Sequence, residues 1–247
     1  MTKHGKSINE VAGVIGVRKG KVYYHSKKIR GRVINPIKLI SNDEELIGEF
    51  IGLFAGDGCV NVTKDYKHRI FLYFNIKDKL YVDNLIDDVL MKLFGKKPMS
   101  WRDENRLNLY YYSRSIHDLI RKYLTWDRSQ RKTYSIRLYE QIYSKNFMVG
   151  FLRGCLDSDG HLSKNKITFA TVSVGLADNM TNFLTILGIS YHLHLYKEKR
   201  INRRDIFHVN IPRDHYNKFL NTIKPRNLKG TKCAGWDSNP GTRLSSS

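Results

Sequence analysis

The chain has little of what marks secreted or membrane proteins. Its 247 residues include only 3 cysteines, Cys59, Cys155 and Cys233. They are far apart and form no CxxC pair, which argues against a disulfide framework or a zinc site and makes a reducing compartment the default. No window approaches ~18 uninterrupted apolar residues, so a helical membrane span is excluded. The opening stretch, MTKHGKSINEVAGVIGVRKG, lacks the long apolar core of a secretory signal. With Glu10 early and arginine sparse, it is also a poor mitochondrial transit peptide. The expected setting is the cytoplasm of a prokaryote, with an organelle as the other possibility. Proline is scarce, at 5 residues, yet 41% of the chain is hydrophobic, enough for one large core or two small ones.

Acidic residues are also few. There are 23 Asp+Glu against 43 Lys+Arg, a net charge of +20, with 15 Tyr, 11 Phe and 3 Trp among them. Phosphates attract such a surface and release counterions on binding, so the charge points to nucleic acid rather than to an ordinary basic protein.

What the chain does have is a repeat. Residues 46–58 read LIGEFIGLFAGDG and residues 148–160 read MVGFLRGCLDSDG. In constant register Gly48 matches Gly150, Gly52 matches Gly154, Gly56 matches Ser158, Asp57 matches Asp159 and Gly58 matches Gly160. Small residues four apart form one smooth stripe on a helix and let two backbones approach closely. Each glycine costs ~1 kcal/mol in a helix interior relative to alanine, so a repeated stripe implies contact between the two helices. The other positions are apolar, as in a central, nearly all-round buried pair. If the stripes face each other, Asp57 and Asp159 emerge side by side. Two adjacent carboxylates repel unless a divalent cation sits between them. A plain helix end with an acid and a glycine cap is the bland alternative, and its recurrence in register argues against it.

These segments resemble the two signature helices of the LAGLIDADG homing endonuclease family. The second copy is closer, with Gly154, Asp157, Asp159 and Gly160 in place; the first has Ala55 instead of the inner acid but keeps Asp57. The resemblance covers about residues 43–230 and implies an α+β fold: a single-chain pseudo-dimer of two αββαββα halves, with two antiparallel sheets forming a saddle over DNA. It implies that Asp57 and Asp159 bind the catalytic divalent metal, that both strands are cut across the minor groove, and that a lysine late in the second strand of a half supports the water network. Lys77 stands there, with Asn75 and Lys79 as neighbours. The second half has Ser173 at that point, so the two sites are expected to be unequal. Mg²⁺ (or Mn²⁺) suits an all-oxygen site completed by the backbone carbonyls of Gly56 and Ser158. Asp157 reads as a helix-end or interfacial polar group.

The rest of the chain repeats one order. Strands are expected at 59–62 and 69–76, a helix over 79–94 stopped at Gly95, and a hairpin of 98–101 with 106–113 around Arg102–Asn105. A short helix then runs from a Ser115 cap through Leu124. In the second half, a strand covers 165–173 and a helix Leu176–Leu187 stops at Gly188. Strands 189–197 and 205–211 form a hairpin, and Arg213–Ile223 is a final helix. Alternation puts Tyr191, Leu193 and Leu195 opposite His192, His194 and Tyr196, Phe207, Val209 and Ile211 opposite His208 and Asn210, and Leu107, Leu109 and Tyr111 opposite Asn108, Tyr110 and Tyr112. The polar faces are candidate DNA readers, and the hairpin tips (Lys64, Lys67 and Arg69; Arg102; Lys197, Lys199, Arg200, Arg203 and Arg204) are candidate phosphate contacts.

Residues 1–40 carry ten basic residues against Glu10 alone, a local net of +9. Ser7 and Glu10 make a capping box, and Ala12, Gly16 and Val22 resemble the spacing of a helix-turn-helix. The second helix, Lys19–Ile29, would offer Lys19, Lys21 and Lys28 to DNA. The expected domains are therefore 1–40, 41–145 and 146–230, followed by a Gly/Ser-rich tail at 231–247. The reading is a monomeric, intron-encoded endonuclease acting on double-stranded DNA with a long target site. No splicing-domain sequence flanks the repeat, which disfavours an intein. Two alternatives stand beside it: a maturase assisting its host intron RNA, and a non-catalytic DNA-binding regulator.

Overall fold

Caps written in the sequence set the helix limits, and the helix limits set the fold. The computed structural model describes residues 7–30, 37–62, 68–163, 166–199 and 203–227. The chain divides into two compact units, Met1–Pro36 and Ile37–Ser247. In the first, α1 (Ile8–Val14) opens on Ser7, whose hydroxyl accepts from Glu10 N while Glu10 accepts from Ser7 N at 2.6 Å. These bonds hold the Glu10 carboxyl below its usual pKa. Gly16, at φ 64°, takes the left-handed conformation that turns the chain toward α2 (Lys19–Arg30). Val11, Ala12 and Val22 form a small core with Ile8 and Val17.

The second unit is α+β and is built around two antiparallel-sheet halves in tandem. Its centre is α3 (Glu44–Asp57), capped by Asp43, against α8 (Lys145–Asp159), capped by Ser144. A Cβ added to Gly48 would lie 2.9 Å from Phe151 N, one on Gly52 2.9 Å from Cys155 N, one on Gly150 2.8 Å from Glu49 N, and one on Gly154 2.6 Å from Leu53 N. Only glycine permits this backbone-to-backbone packing at these four positions.

After α3 come β1 (Gly58–Val62) and β2 (His68–Asn75), then a helical run: a 3₁₀ turn Ile76–Asp78, α4 (Lys79–Leu85), a π-helical turn Ile86–Leu90 and α5 (Met91–Phe94), closed by Gly95 at φ 61°. β3 (Met99–Asp103) and β4 (Arg106–Tyr112) complete a four-stranded sheet of order β1-β2-β4-β3. α6 (Arg114–Tyr123) follows, and its cap is Ser113, which accepts from Ile116 N, not Ser115. Both serines suit the role, but the strand ends at Tyr112 and leaves Ser113 at the junction. The connection to the second half has structure of its own: β5 (Leu124–Thr125) pairs with β6 (Arg137–Leu138) around α7 (Lys132–Ser135).

The second half repeats the order. β7 (Gly160–Ser163), β8 (Lys166–Thr171), β10 (Ile206–Ile211) and β9 (His192–Tyr196) form a sheet of order β7-β8-β10-β9, with α9 (Val174–Ile186) between β8 and β9. A 3₁₀ turn, Arg213–His215, leads into α10 (Tyr216–Ile223). One apolar core joins α3, α8 and the inner faces of both sheets. Leu193 and Leu195 share the inner register with Val209 but stay 48% and 42% exposed, because β9 is an edge strand. Among the described residues no helix is long and apolar enough to cross a membrane.

Candidate nuclease centre

The small-residue stripe brings the last turns of α3 and α8 together with their acids. A Cβ on Gly56 would lie 2.7 Å from Ser158 Cβ and 3.0 Å from Asp159 Oδ2, so the Asp159 carboxylate reaches across to the other helix. Asp57 lies in a cleft of about 360 Å³ that also takes Ser158 and Asn227 from the second half. Asp159 lies in one of about 270 Å³ that takes Ala55 from the first. Each acid thus opens into a cleft lined by both halves.

Lys132 stands at the same helix ends. Its ammonium donates to the carbonyls of Phe54 at 2.7 Å, Ala55 at 2.9 Å and Gly56 at 3.3 Å, and sits 4.9 Å over the Phe54 ring. It closes the carbonyl end of α3, where a cation is favoured. Burial pulls its pKa down to about 8, opposed by the charge of Asp159 and, less, of Asp57. Desolvation raises the Asp159 pKa, and Lys132 opposes that shift. No local pattern marks this residue: it lies in the aperiodic stretch WDRSQRKTYS, and only the tertiary fold carries it to the site.

Lys77, the lysine expected here, is exposed on the 3₁₀ turn after β2. The cleft around Asp57 is lined from that segment by Asn75 and Asp78, with Asn105 and Arg106 from the next hairpin. Of the carbonyls expected to face a metal, that of Gly56 accepts from Lys132.

The end of α8 is held differently. Asp157 is 5% exposed and accepts from the backbone N–H of Arg226 at 3.2 Å and of Asn227 at 3.1 Å, while Asn227 Nδ2 donates to the Asp157 carbonyl. Burial pushes the Asp157 pKa up to about 7, against the pull of those N–H groups. Behind it lies a buried ion-pair network. Glu49 is fully buried and accepts from Arg153 at 2.9 Å and Arg226 at 2.5 Å; Arg153 also reaches Glu45 and the Ile223 carbonyl, and Arg226 reaches Asp88. The network ties the C-terminal segment of the second half to the first. Its sequence signal was two charged residues, Glu49 and Arg153, inside otherwise apolar helices.

The sheet registers place the candidate DNA readers. Tyr110 and Tyr112 share the outer face with Phe71 and Arg69, and Arg69 stacks over Tyr112 at 5.1 Å. Arg102 pairs with Leu107 and so lies in the register of the opposite, core-side face from Tyr110 and Tyr112. In the second sheet His194 pairs with His208 and His192 with Asn210, on one face, and Asn210 is bonded to Thr168 at 2.8 Å. Lys197, Lys199 and Arg203 are exposed. Arg204 is exposed too, and it packs 4.3 Å over Tyr134 and bonds Gln130. Lys19 and Lys21 are exposed on α2. Lys64, Lys67, Arg200, the side chain of Lys28 and the 231–247 tail lie outside the described residues.

The chemistry of the donor set fits a hard divalent cation: two carboxylates from facing helix ends, with backbone carbonyls beside them, are all oxygen. No cluster of three or more His, Cys, Asp or Glu occurs among the described residues, so any ion would rely on these two acids, carbonyls, water and phosphate.

Two tandem helix-sheet halves, paired through glycine stripes with acids at the common end, define a LAGLIDADG architecture. Residues 146–224 match the LAGLIDADG-like domain family, and over most of its length the chain has the fold of single-chain LAGLIDADG homing endonucleases. It is similar to I-DmoI in complex with DNA and Ca (TM-score 0.54, 16% identity, 74% of this chain and 91% of that one). It is also similar to I-WcaI bound to its DNA recognition sequence (TM-score 0.52, 12% identity, 89% and 97%). Among curated proteins it is 26% identical over 185 residues to a replication factor C small subunit of Thermococcus kodakarensis, covering 73% of this chain and 20% of that one. An uncharacterized protein of Methanocaldococcus jannaschii is 26% identical over 167 residues, 64% of this chain and 55% of that one. The chain thus spans a fifth of the first curated relative and about half of the second.

Proposed function

We propose that this chain is a site-specific double-stranded DNA endonuclease of the homing type, intron-encoded and monomeric, in the cytoplasm of a prokaryote. The observation that supports the proposal is the close packing of the last turns of α3 and α8, where the Asp159 carboxylate reaches Gly56, next to Asp57, and Lys132 donates to the carbonyls of the same turn. Residues that only bind DNA gain nothing from carboxylates aimed at phosphates. The DNA-bound structures of I-DmoI and I-WcaI support duplex DNA as the partner. Alignment with only a fifth of a replication protein supports a unit carried between gene contexts.

In this reading Asp57 and Asp159 would hold Mg²⁺ or Mn²⁺. Such an ion, when bound, lowers the pKa of water and offsets phosphate charge. Lys132 keeps a positive charge beside the cleaved bond; with a pKa of about 8 it is mostly protonated at neutral pH. The unit at Met1–Pro36 acts as a helix-turn-helix whose α2 adds contacts through Lys19 and Lys21. The hairpin lysines and arginines hold the backbone of a long target.

The test is incubation of the protein and Mg²⁺ with the intron-less form of its host gene, followed by mapping of the ends. Staggered 3′ overhangs of a few bases are expected. A duplex that is bound but never cut with any divalent cation would make the chain a DNA-binding regulator instead.

A further inference from the structure

Lys132 stands on a support too short to place it. It opens α7, a single turn whose N-cap, Arg131, makes no side-chain cap bond. A first helical turn loses backbone freedom for one hydrogen bond, so a lone turn does not hold itself in water. A lysine at the N-terminus of a helix also opposes the helix dipole. Groups from elsewhere in the fold therefore set where the Lys132 turn lies.

On the inner side, the fully buried Ser173 hydroxyl donates to the Ile136 carbonyl at 2.6 Å. On the preceding chain, the Ser135 hydroxyl accepts from Asp127 N at 2.9 Å. The Asp127 carboxylate shapes the loop before the turn, accepting from Ser129 N and Ser129 Oγ at 2.8 Å and from Gln130 Nε2 at 2.7 Å. A further tie comes from the β9–β10 connection. Arg204 donates from Nη2 to Gln130 Oε1 at 2.8 Å and sets its guanidinium 4.3 Å over the ring of Tyr134. Thr133 and Ile136, in and just after the Lys132 turn, and Ile206, at the start of β10, line the same cleft as Asp159. Arg204 thus joins two walls of that cleft. It is exposed, so burial imposes neither of its contacts. A side chain kept only to meet phosphate needs neither a phenol ring beneath its plane nor an amide on its edge.

Resting on the endonuclease reading, we infer that Arg204 is a positioning residue. Through Tyr134 and Gln130 it holds the Lys132 turn against the Asp159 cleft, and so it sets the cleavage rate of one strand. The phosphate role expected of this connection stays with Lys197, Lys199 and Arg203, which are exposed.

The experiment uses the full chain and a cleaved duplex selected from a randomised library, with each strand labelled, at saturating protein with Mg²⁺. Arg204→Met is expected to slow one strand, the one that Lys132→Met slows, by about five- to thirtyfold, the size of a cation–π contact and a hydrogen bond together. Duplex affinity and its salt slope stay as in the parent, whereas loss of one phosphate contact lowers the slope by about 0.9. In the Lys132→Met background, Arg204→Met slows that strand by less than about twofold more. Arg204→Lys keeps a cation over Tyr134 and recovers part of the rate. A shallower salt slope with both cutting rates intact would make Arg204 a phosphate contact and overturn the inference. Unchanged cutting, equal slowing of both strands, or slowing that adds in full to that of Lys132→Met would also overturn it, because no effect would then pass through Lys132. A parent protein that cuts no duplex would instead remove the endonuclease reading, and this inference with it.

Discussion

The two halves share an order of elements but finish their central helices with different chemistry. The end of α3 is closed by a half-buried cation, Lys132, donating to three carbonyls. The end of α8 receives a neutral amide, Asn227, and a carboxylate, Asp157, that accepts two backbone N–H groups. Both halves carry the glycine stripe that packing demands, and each central helix ends in an acid. They differ in what packing leaves free, the groups around each acid and the outer sheet faces. The two helix ends are therefore unequal by construction.

The largest expected effect falls where the halves cannot differ. Gly150→Val puts a branched side chain into the Glu45 and Glu49 backbone of α3. Overpacking of this kind costs ~1–3 kcal/mol when neighbours can shift; here they are helix backbone, and loss of the cooperative thermal transition is expected. Gly13→Val in the first unit, where a Cβ meets nothing within 4 Å, leaves the melting of the second unit unchanged. An undisturbed Gly150→Val protein would mean that α3 and α8 are not in close contact.

Next comes the network joining the halves. Arg153→Met strands the fully buried Glu49 carboxylate with one fewer partner. Breaking a buried pair from one side costs about 3–5 kcal/mol. Denaturant unfolding would read it, and a change below about 1 kcal/mol would show that water already reaches Glu49.

The unequal helix ends can be tested directly. Lys132→Met should slow one strand's cleavage by roughly 10²–10³-fold, the cost of losing one preorganised charge-stabilising group, and leave a nicked product. Asn227→Ala should cost far less. Equal slowing of both strands by Lys132→Met would contradict the asymmetry.

The sheet faces give the smallest effect. Burial, then Lys166 and His194, lower the pKa of His208 below that of an ordinary imidazole. It is neutral at pH 7 and gains charge as pH falls. Phosphate favours the charged form, so DNA affinity should rise by about two- to fivefold from pH 7 to about 5.5. The sign for folding is opposite: the unfolded chain binds that proton more readily, so stability from this group is lost as pH falls. His208→Gln should flatten the affinity profile, and an unchanged profile would place His208 away from DNA.

Much of this was legible in the residues. The stripe at Gly48, Gly52, Gly150 and Gly154 encodes a contact that only a helix pair can make, and the alternation in β4 and β10 named the outer faces. Other features were not legible, for definable reasons. Lys132 acts through tertiary placement, with no local pattern to mark it. Ser113 and Ser115 are equivalent caps until the strand end is known. Leu193 and Leu195 alternate like core residues, yet exposure depends on whether a strand is inner or edge. Arg102 was read as a hairpin tip, but the strand extends through Asp103 and its register turns Arg102 to the face opposite Tyr110.

The most direct measurement pairs cleavage with binding for Asp57→Asn and Asp159→Asn on the mapped target with Mg²⁺. The account predicts that each variant binds the duplex as the parent does and no longer makes the double-strand break. Undiminished double-strand cutting by either variant would contradict it.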